Sequence, residues 1–161
     1  PKGAKDLGLP PLGQAGRGYS YTVKTGQPAT CPVYLPDPKI ACTPYQGRFR
    51  VAGTMEFRGP DEPFQPGRIE SIIHTTKPFF SGVDWEERQD DWVGSRPVTP
   101  DGLPLVGATK VPNVCTDGGH GMWGSGLGPL SGKMLAKQIA TGEVDETIKP
   151  FDPLRGPFGG L

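Results

Sequence analysis

The sequence predicts an α+β fold built around a mostly antiparallel sheet. Three or four strand-like segments and one helix come first, and a strand, a glycine-rich turn and a second helix close the 161-residue chain. Strands grouped ahead of helices are typical of α+β proteins, whereas a regular alternation of the two would indicate a parallel sheet.

The first predicted strands follow an irregular lead-in over residues 1–17. Residues 18–24 alternate two tyrosines and a valine with smaller polar residues, which is the pattern of a strand. The apolar run 31–35 is bounded by prolines. Because proline cannot donate a backbone hydrogen bond to a neighbouring strand, this run suits the edge of the sheet.

A β-hairpin is predicted next. The runs 40–43 and 48–57 flank a Tyr-Gln-Gly turn. In the second run Phe49, Val51 and Gly53 share one face, and two arginines share the other with an alanine. Successive side chains of a strand point to opposite faces, so one face is expected to be buried and the other polar.

Two further strands are predicted in the middle of the chain. The first lies at the end of 83–94, a segment that carries Trp85 and Trp92 with acidic residues between them. The second is short, over 105–106, and follows three prolines and an Asp-Gly turn. The apolar run 113–115 is expected to form a buried strand before the glycine-rich turn.

Two helices are predicted from apolar residues at helical spacing. The first covers 67–77, with three isoleucines facing inward. The second begins in the glycine-rich turn and runs to about Thr141, with Gly142 as its stop. Ser131 and two lysines lie mostly off its predicted buried stripe. That stripe consists of Leu127, Leu130, Met134, Leu135 and Ile139.

Composition excludes several classes of protein. Lys+Arg and Asp+Glu are equal at 17 each, so nothing favours nucleic acid or an anionic membrane. No apolar run approaches the roughly 18 residues of a membrane helix, and no signal peptide is visible. Gly 25 and Pro 20 indicate a loop-rich globular domain, because aromatic and branched residues lie between them. The chain starts with Pro1 and is expected to be a piece of a longer protein.

The three cysteines and two histidines do not predict a metal site. Cys31, Cys42 and Cys115 lack C-x-x-C spacing, and His74 and His120 do not complete a ligand set with them. The cysteines are expected to be reduced core thiols of a cytoplasmic protein.

The glycine-rich turn is the strongest local signal. Six glycines, at positions 118, 119, 121, 124, 126 and 128, fall within 11 positions before a helix. A tight turn without a ligand explains two or three of them. The G-x-G-x-x-G spacing of a dinucleotide site is also present, but only 19 residues follow Gly142 and they contain no second strand, so this interpretation is rejected. We favour a ligand approaching bare backbone amides at a helix N-terminus, which suits an electron-rich or anionic group.

Arg96 is the leading candidate for binding a carboxylate. It stands in the sequence GSRPVTPDG, where fixed backbone on both sides would hold its guanidinium in place. The alternative is an arginine that pins its own loop by pairing with Asp101 or Asp91. From the residues alone both interpretations stay open.

Other side chains of the turn carry weaker signals. His120 is expected to be structural, and Met122 and Trp123 are displayed by the turn, with core packing favoured for Trp123. No Ser/His/Asp, Cys/His or paired-carboxylate arrangement is recognisable. Any chemistry is therefore expected to belong to a cofactor, and no catalytic side chain is assigned.

Four segments resemble one family in order and spacing. They are GRGYSYTV, KIACTPYQGRFRVAGTMEF, DWVGSRPVTPDGLPLVGAT and NVCTDGGHGMWGSGLGPLSGKMLAKQIATG. The chain, from about Leu7 to Pro153, resembles the C-terminal part of FAD-dependent D-amino acid dehydrogenases, which are relatives of glycine oxidase and D-amino acid oxidase. The motifs W-x-G-x-R-P-x-T-P-D-G-x-P-x-x-G and G-H-G-x-x-G are specific when they occur together at this separation.

The resemblance implies a substrate-binding domain over 1–100 and, over 101–161, the last strand and helix of an FAD-binding domain. The N-terminal Rossmann-like unit of the family is not in the sequence. We expect that this unit is another chain, that it is a lost portion, or that it was never present. The implied reaction oxidises a D-amino acid or a similar small amino acid, with hydride transfer to flavin, to an imino acid that hydrolyses to a keto acid. The alternative is a non-catalytic binding or assembly module that kept the fold.

The resemblance also implies site residues. Arg96 matches the arginine that binds the substrate α-carboxylate, and Met55, Ile40 and Met122 match positions that line the substrate pocket. Glycine oxidase has a tyrosine where Ile40 stands and an arginine where Met122 stands, so the substrate itself stays open. The segment along the flavin edge corresponds to Gly119, His120, Gly121, Met122, Trp123, Gly124, Ser125 and Gly126.

The implied cofactor is FAD, and the implied partners are an amino acid substrate and the N-terminal FAD-binding portion of the same protein. Self-association through exposed apolar surface is a further expectation. The expected location is the cytoplasm, with a full-length protein peripheral to the inner membrane as the alternative. The 161-residue chain alone is expected to be inactive and to bind FAD weakly, because the pyrophosphate and adenosine would have no strand-turn-helix to bind.

Overall fold

The computed structural model describes residues 3, 6–9, 13–27 and 29–156. The strands and helices are β1 Gln14–Thr25, β2 Val33–Leu35, β3 Ile40–Tyr45, β4 Arg48–Phe57, α1 Pro66–Thr76, β5 Val83–Val98, β6 Leu105–Ala108, β7 Cys115–Gly118 and α2 Gly124–Thr141. Two 3₁₀ turns, Lys77–Phe79 and Lys149–Phe151, complete the described elements. Five strands form one sheet in the order β2-β3-β4-β1-β5, and β6 and β7 form an antiparallel pair.

The chain divides into two compact units. Residues Arg17–Ser95 form one unit, here called the sheet unit. Residues Pro1–Gly16 and Arg96–Leu161 form the other, here called the turn–helix unit because it contains the glycine-rich turn and α2.

The predicted hairpin is confirmed in the sheet unit. Strands β3 and β4 pair antiparallel, with Ala41 opposite Ala52 and Tyr45 opposite Arg48. The two turn residues, Gln46 and Gly47, have φ of 48° and 74°. Two left-handed residues in succession give the turn a twist that matches the right-handed twist of the strands, and this fixes the register.

The predicted edge strand and first helix are also confirmed. Strand β2 lies at the edge of the sheet and pairs with β3 alone. Ile69 and Ile72 of α1 are fully buried, and Ile73 packs partly against the same core. The lead-in prediction is too long, because β1 begins at Gln14, and β5 is a strand over its whole length from Val83.

A buried polar group lies beside this core. Glu56 is 6% exposed; its Oε1 accepts a hydrogen bond from the Tyr19 hydroxyl at 2.6 Å and lies 3.6 Å from Arg17 Nη1. Its Oε2 lies 3.5 Å from Nε of Arg68 in α1. Burial and the Glu56 carboxylate together raise the pKa of Tyr19.

The turn–helix unit has a smaller core. Val106, Leu135 and Ile148 are buried, with Cys115 and Met134 packed partly against them. Gly142 ends α2 in the left-handed conformation, with φ of 77°, as predicted. The predicted strand at 113–115 is wrong, because Asn113 has φ of 63° in a turn and β7 begins only at Cys115.

The predicted buried stripe of α2 is largely wrong. Of its five residues Leu135 alone is buried, Met134 is partly buried, and Leu127, Leu130 and Ile139 are exposed. Ser131, predicted to lie off the stripe, is buried instead. Helical periodicity identified an apolar face, but in this chain little covers that face.

The cysteine prediction holds only in part. All three thiols are free, Cys42 is buried and Cys115 is partly buried, but Cys31 is exposed and belongs to no core. Burial raises the pKa of Cys42 to about 11. In residues 3, 6–9, 13–27 and 29–156, no group of three or more His, Cys, Asp and Glu side chains is arranged to hold a metal ion. Neither described helix combines the length and apolarity that crossing a membrane requires.

Candidate functional site

The glycine-rich turn links the end of β7 to the start of α2. Gly119 and Gly121 are both left-handed, with φ of 74° and 55°. At Gly119 a Cβ atom would lie 3.2 Å from Cγ2 of Thr99, so a side chain would be strained in conformation and crowded in space. The Trp123 amide donates to the His120 carbonyl at 2.9 Å and closes the turn.

Bare backbone is presented where α2 begins. The amides of Gly126 and Leu127 both donate to the Trp123 carbonyl, so those of Gly124 and Ser125 are the first-turn amides left without a helical acceptor. A Cβ atom built on Gly121, Gly126 or Gly128 would meet nothing within 4 Å. The described backbone here is therefore open to close approach by a flat group, at the positive end of the helix dipole.

Arg96 lies next to the residue that fixes this turn. The Gly121 amide donates to the carbonyl of Pro97 at 3.0 Å. Arg96 and Pro97 belong to the last residues of β5, so the end of this strand and the glycine-rich turn are joined within the turn–helix unit. The residue expected to bind a carboxylate, Arg96, is therefore adjacent in the chain to a residue that holds the glycine-rich turn.

Both carboxylates that could have pinned the Arg96 loop are bonded to other arginines. Asp91 Oδ2 accepts a hydrogen bond from Nε of Arg88 at 3.0 Å. Asp101 accepts two from Arg155, from Nε at 2.8 Å and from Nη2 at 3.0 Å. The alternative in which Arg96 pins its own loop through these carboxylates therefore loses its proposed partners.

The Arg155–Asp101 pair could not be read from the sequence. The side chain of Arg155 is 6% exposed, and besides Asp101 its guanidinium donates to the carbonyls of Leu103, Pro104 and Asp152. Hydrogen bonding by Arg155 lowers the pKa of Asp101 to about 2. The two residues are 54 positions apart, and no local pattern links them.

A second polar cluster was also missed, because its Ser/His/Asp grouping is not recognisable in the sequence. His120 Nε2 lies 3.0 Å from Ser131 Oγ and 3.3 Å from Asp117 Oδ1. Ser131 Oγ lies 3.1 Å from both Asp117 oxygens. In a nucleophilic triad the serine and the aspartate bind opposite nitrogens of the imidazole. Here both contact the same nitrogen, so the cluster is structural and ties the turn to β7 and α2.

The remaining residues that the sequence predicted for the site differ in whether they are exposed or buried. Met122 and Trp123 are both exposed, so the expectation that Trp123 packs in a core is wrong. Ile40 is 2% exposed and packs over Gly53 in the core of the sheet unit, which counts against its contacting a ligand.

Met55 is partly buried and lies on the other face of the sheet from Ile40. Its neighbour Glu56 contacts Arg68 of α1, and adjacent strand residues point to opposite faces. The left-handed Thr54, with φ of 55°, interrupts the alternation along β4 and puts Glu56 on the helix side. The structure therefore does not bring Ile40 and Met55 together.

Two cavities lie elsewhere. One of about 460 Å³ in the sheet unit is polar and includes Arg50, Asp90 and Trp92. The other, of about 280 Å³, lies between β6 and the C-terminal turn and includes Val106 and Ile148. Neither is lined by a residue that the sequence predicted to bind substrate or cofactor.

The chain matches the model of a known protein family. The family model described as FAD dependent oxidoreductase matches residues 2–138. This chain belongs to that family. The match includes the end of β5, the glycine-rich turn and most of α2, and it ends before Arg155.

Relatives in this FAD dependent oxidoreductase family are longer than the chain. The D-amino acid dehydrogenase of Vibrio vulnificus (strain YJ016) is 36% identical over 142 residues, which cover 86% of this chain and 34% of that protein. The D-amino acid dehydrogenase of Xanthobacter autotrophicus is 35% identical over 126 residues, covering 76% of this chain and 30% of that protein. The chain thus spans about a third of the length of these relatives.

Solved structures share the fold. The glycine oxidase of Geobacillus kaustophilus superposes with a TM-score of 0.80 at 24% identity, over 95% of this chain and 42% of that chain. The L-proline dehydrogenase from P. horikoshii gives a TM-score of 0.70 at 19% identity, over 91% of this chain and 40% of that chain. These superpositions confirm the predicted α+β fold.

The described residues fit one edge of a flavin. Gly121 and Gly126 leave open backbone, and the amides of Gly124 and Ser125 could donate to an electron-rich ring edge. No parallel strand follows α2 up to residue 156, so the described part of the turn–helix unit offers no dinucleotide strand-turn-helix after this helix. The rejection of the G-x-G-x-x-G interpretation stands.

Proposed function

We propose that this chain supplies the substrate-carboxylate anchor and the flavin-edge backbone of an enzyme that oxidises D-amino acids or similar small amino acids. The observation that carries the proposal is the hydrogen bond from the Gly121 amide to the Pro97 carbonyl. It joins the residue next to Arg96 to the turn whose open amides suit a flavin edge. The D-amino acid dehydrogenases among the relatives support the choice of substrate class.

In this proposal the residues orient and stabilise rather than react. Arg96 binds the substrate carboxylate through its planar guanidinium, because two parallel hydrogen bonds fix both position and direction. FAD, when bound, supplies the two-electron acceptor for the hydride that leaves the substrate α-carbon. The Gly124 and Ser125 amides would donate to negative charge on the flavin edge, and they would do so without reorganising because the helix holds them.

The division of roles follows the sequence. Residues 1–100 are proposed to contribute the substrate side and residues 101–161 the cofactor side. Met55 and Met122 remain proposed substrate-pocket residues, as the resemblance implies. His120, bonded to Ser131, is proposed to contribute its backbone rather than its ring. The segment Gly119–Gly126 is proposed to follow the flavin edge, with the remainder of the cofactor held by an N-terminal portion.

The test replaces Arg96 in a protein that carries this chain together with its N-terminal portion. Arg96→Lys keeps the charge but loses the planar fork, so apparent substrate affinity should fall by about 1.5–3 kcal/mol. Steady-state kinetics with a D-amino acid measure the effect. The matched control is Arg48→Lys, since Arg48 donates to the Glu87 carbonyl in the sheet unit and is not assigned to the site. An unchanged kcat/KM in Arg96→Lys contradicts the assignment.

A non-catalytic assembly module is the second candidate, favoured by the exposed apolar side chains of Leu127, Leu130 and Ile139 on α2. The flavin absorption spectrum separates the two functions. Under D-amino acid without oxygen, an enzyme bleaches the flavin spectrum, and a spectrum that stays oxidised favours the module.

A further inference from the structure

We propose that Arg155 is a positioning residue for the Arg96 carboxylate site, an inference that rests on the proposed function of Arg96. Arg155 makes five hydrogen bonds shorter than 3.2 Å with one guanidinium. Two go to the Asp101 carboxylate and one each to the carbonyls of Leu103, Pro104 and Asp152. Arg155 lies 17 residues past the end of the family match at residue 138.

These bonds hold the loop that follows Arg96. Within the loop, Thr99 Oγ1 donates to the Leu103 carbonyl at 2.8 Å and the Gly102 amide donates to the Thr99 carbonyl at 3.2 Å. Arg155 adds bonds to Asp101, Leu103 and Pro104. The loop is thus held both by its own hydrogen bonds and by Arg155, and it directly follows β5, which carries Arg96.

The same loop supports the glycine-rich turn. Thr99 is 4% exposed, and its methyl group lies against Gly119. Two residues earlier, the Pro97 carbonyl accepts the Gly121 amide. A shift of Thr99 would therefore move two contacts of the turn together with the backbone that carries Arg96.

Arginine is required at this position for a geometric reason. A planar fork can bind both carboxylate oxygens and three carbonyls at once, whereas a lysine ammonium has three donors and no fork. Asp101 and Arg155 are 12% and 6% exposed at their side chains, so water replaces lost bonds poorly. Arg155→Lys should leave several partly buried acceptors without a donor while keeping the charge.

The experiment has one readout that depends on activity and one that does not. In the protein that carries the whole chain with its N-terminal portion, Arg155→Lys should raise KM for a D-amino acid about tenfold, the size of one lost charge-assisted hydrogen bond, with kcat within about twofold. In the chain itself, hydrogen exchange of the Gly121 amide should become about tenfold faster, well below the melting temperature.

The matched control is Arg88→Lys. Arg88 binds two carboxylates, Glu70 and Asp91, and lies in the sheet unit. Arg88→Lys should lower the melting temperature slightly and leave both KM and the hydrogen exchange of the Gly121 amide unchanged. Should Arg155→Lys fail to fold, Asp101→Asn gives the same test, because it removes the charge of one partner while keeping its shape.

The outcomes separate the two proposals. A lower melting temperature with unchanged KM and unchanged Gly121 exchange overturns the positioning role and leaves Arg155 as a structural staple. If the unsubstituted protein does not turn over D-amino acids, the proposed function fails, and the Gly121 exchange then decides alone whether Arg155 holds the turn. Faster exchange together with raised KM supports both.

Discussion

The two units of this chain are stabilised in different ways. The sheet unit buries ten apolar residues around α1 and the hairpin, including Phe49, Val51, Ile69 and Ile72. Among its described residues, the turn–helix unit has three in its buried core, Val106, Leu135 and Ile148. Apolar burial contributes roughly 25 cal/mol per Å², so the sheet unit has the larger hydrophobic contribution to its stability.

The turn–helix unit combines its smaller core with two polar clusters, and it exposes the apolar face of its helix. Arg155 with Asp101 holds one loop, and Ser131 with His120 holds the glycine-rich turn. Regions with few buried apolar contacts open most readily, and binding surfaces are drawn from such regions. The proposed ligand-binding backbone thus lies in the unit whose own core is small.

The largest expected effect tests whether the sheet unit depends on its buried charge. Glu56→Gln leaves the Arg17 guanidinium, 2% exposed, without its carboxylate. Breaking a buried ion pair on one side costs about 3–5 kcal/mol. Urea unfolding followed by the fluorescence of Trp85 and Trp92 measures the loss.

Its control is Glu62→Gln, which breaks an exposed pair with Arg58. That substitution should cost no more than about 1 kcal/mol, because solvent screens an exposed pair. Equal losses of unfolding free energy in the two variants would show that the charge of Glu56 contributes no more to stability than an exposed ion pair does.

The next prediction compares apolar side chains of the two helices. Ile72 is fully buried in α1 and Leu130 is 52% exposed on α2. Ile72→Ala should destabilise the sheet unit by about 2–5 kcal/mol through lost contacts and a cavity. Leu130→Ala should change the stability of the chain alone by no more than about 0.5 kcal/mol.

The same two variants also test whether the N-terminal portion covers the exposed face of α2. If that portion covers the α2 face, Leu130→Ala becomes costly in the longer protein, and Ile72→Ala changes little between the two. Calorimetry on both proteins gives the difference. A Leu130→Ala cost that is the same with and without the N-terminal portion argues against α2 as a covered surface.

These contrasts also explain what the sequence could predict. The hairpin was predictable because Gln46 and Gly47 set the turn locally, and α1 because its isoleucines repeat at helical spacing. The exposure of Leu127 and Leu130 was not, since periodicity shows which face is apolar but not what covers it. The alternation of buried and exposed side chains along β4 is interrupted at Thr54. This one left-handed residue puts Glu56 on the helix side of the sheet and Met55 on the other side.

The candidate site was predictable in its local part only. The six glycines predicted a backbone site, and Arg96 stands beside the residue that binds Gly121. The Asp101–Arg155 and Asp117–Ser131 contacts depend on residues far apart in sequence or across a turn. Side-chain hydrogen bonds of this kind have no periodic signal, so they appear only once the chain is folded.

A smaller effect is expected when FAD is added to the chain alone. The turn–helix unit would contact one edge of the ring, while the cost of immobilising the whole cofactor remains. Titration followed by flavin fluorescence should therefore show binding weaker than micromolar. Micromolar or tighter binding would mean that the 161 residues form a more complete cofactor site than the glycine-rich turn provides.

The smallest expected effect is a pH dependence confined to the turn–helix unit. Arg155 lowers the pKa of Asp101 from an ordinary 3.8 to about 2. A depressed carboxyl pKa means that the folded unit favours the ionised form. This contribution to stability is therefore complete above 3.8 and is lost as pH falls through about 2.

Two variants isolate that contribution. Asp101→Asn cannot ionise, so its stability should fall less steeply than that of the unsubstituted chain over this acid range. Asp145→Asn is the control, because a hydrogen bond from the Thr147 amide also lowers the pKa of Asp145, yet Asp145 binds no arginine fork. The NMR signals of buried Leu135 report the unfolding of the turn–helix unit, and those of buried Ile72 report the sheet unit. Parallel acid curves for Asp101→Asn and the unsubstituted chain at Leu135 would mean that Arg155 and Asp101 do not hold this unit, and the contrast between the two units would then rest on their cores alone.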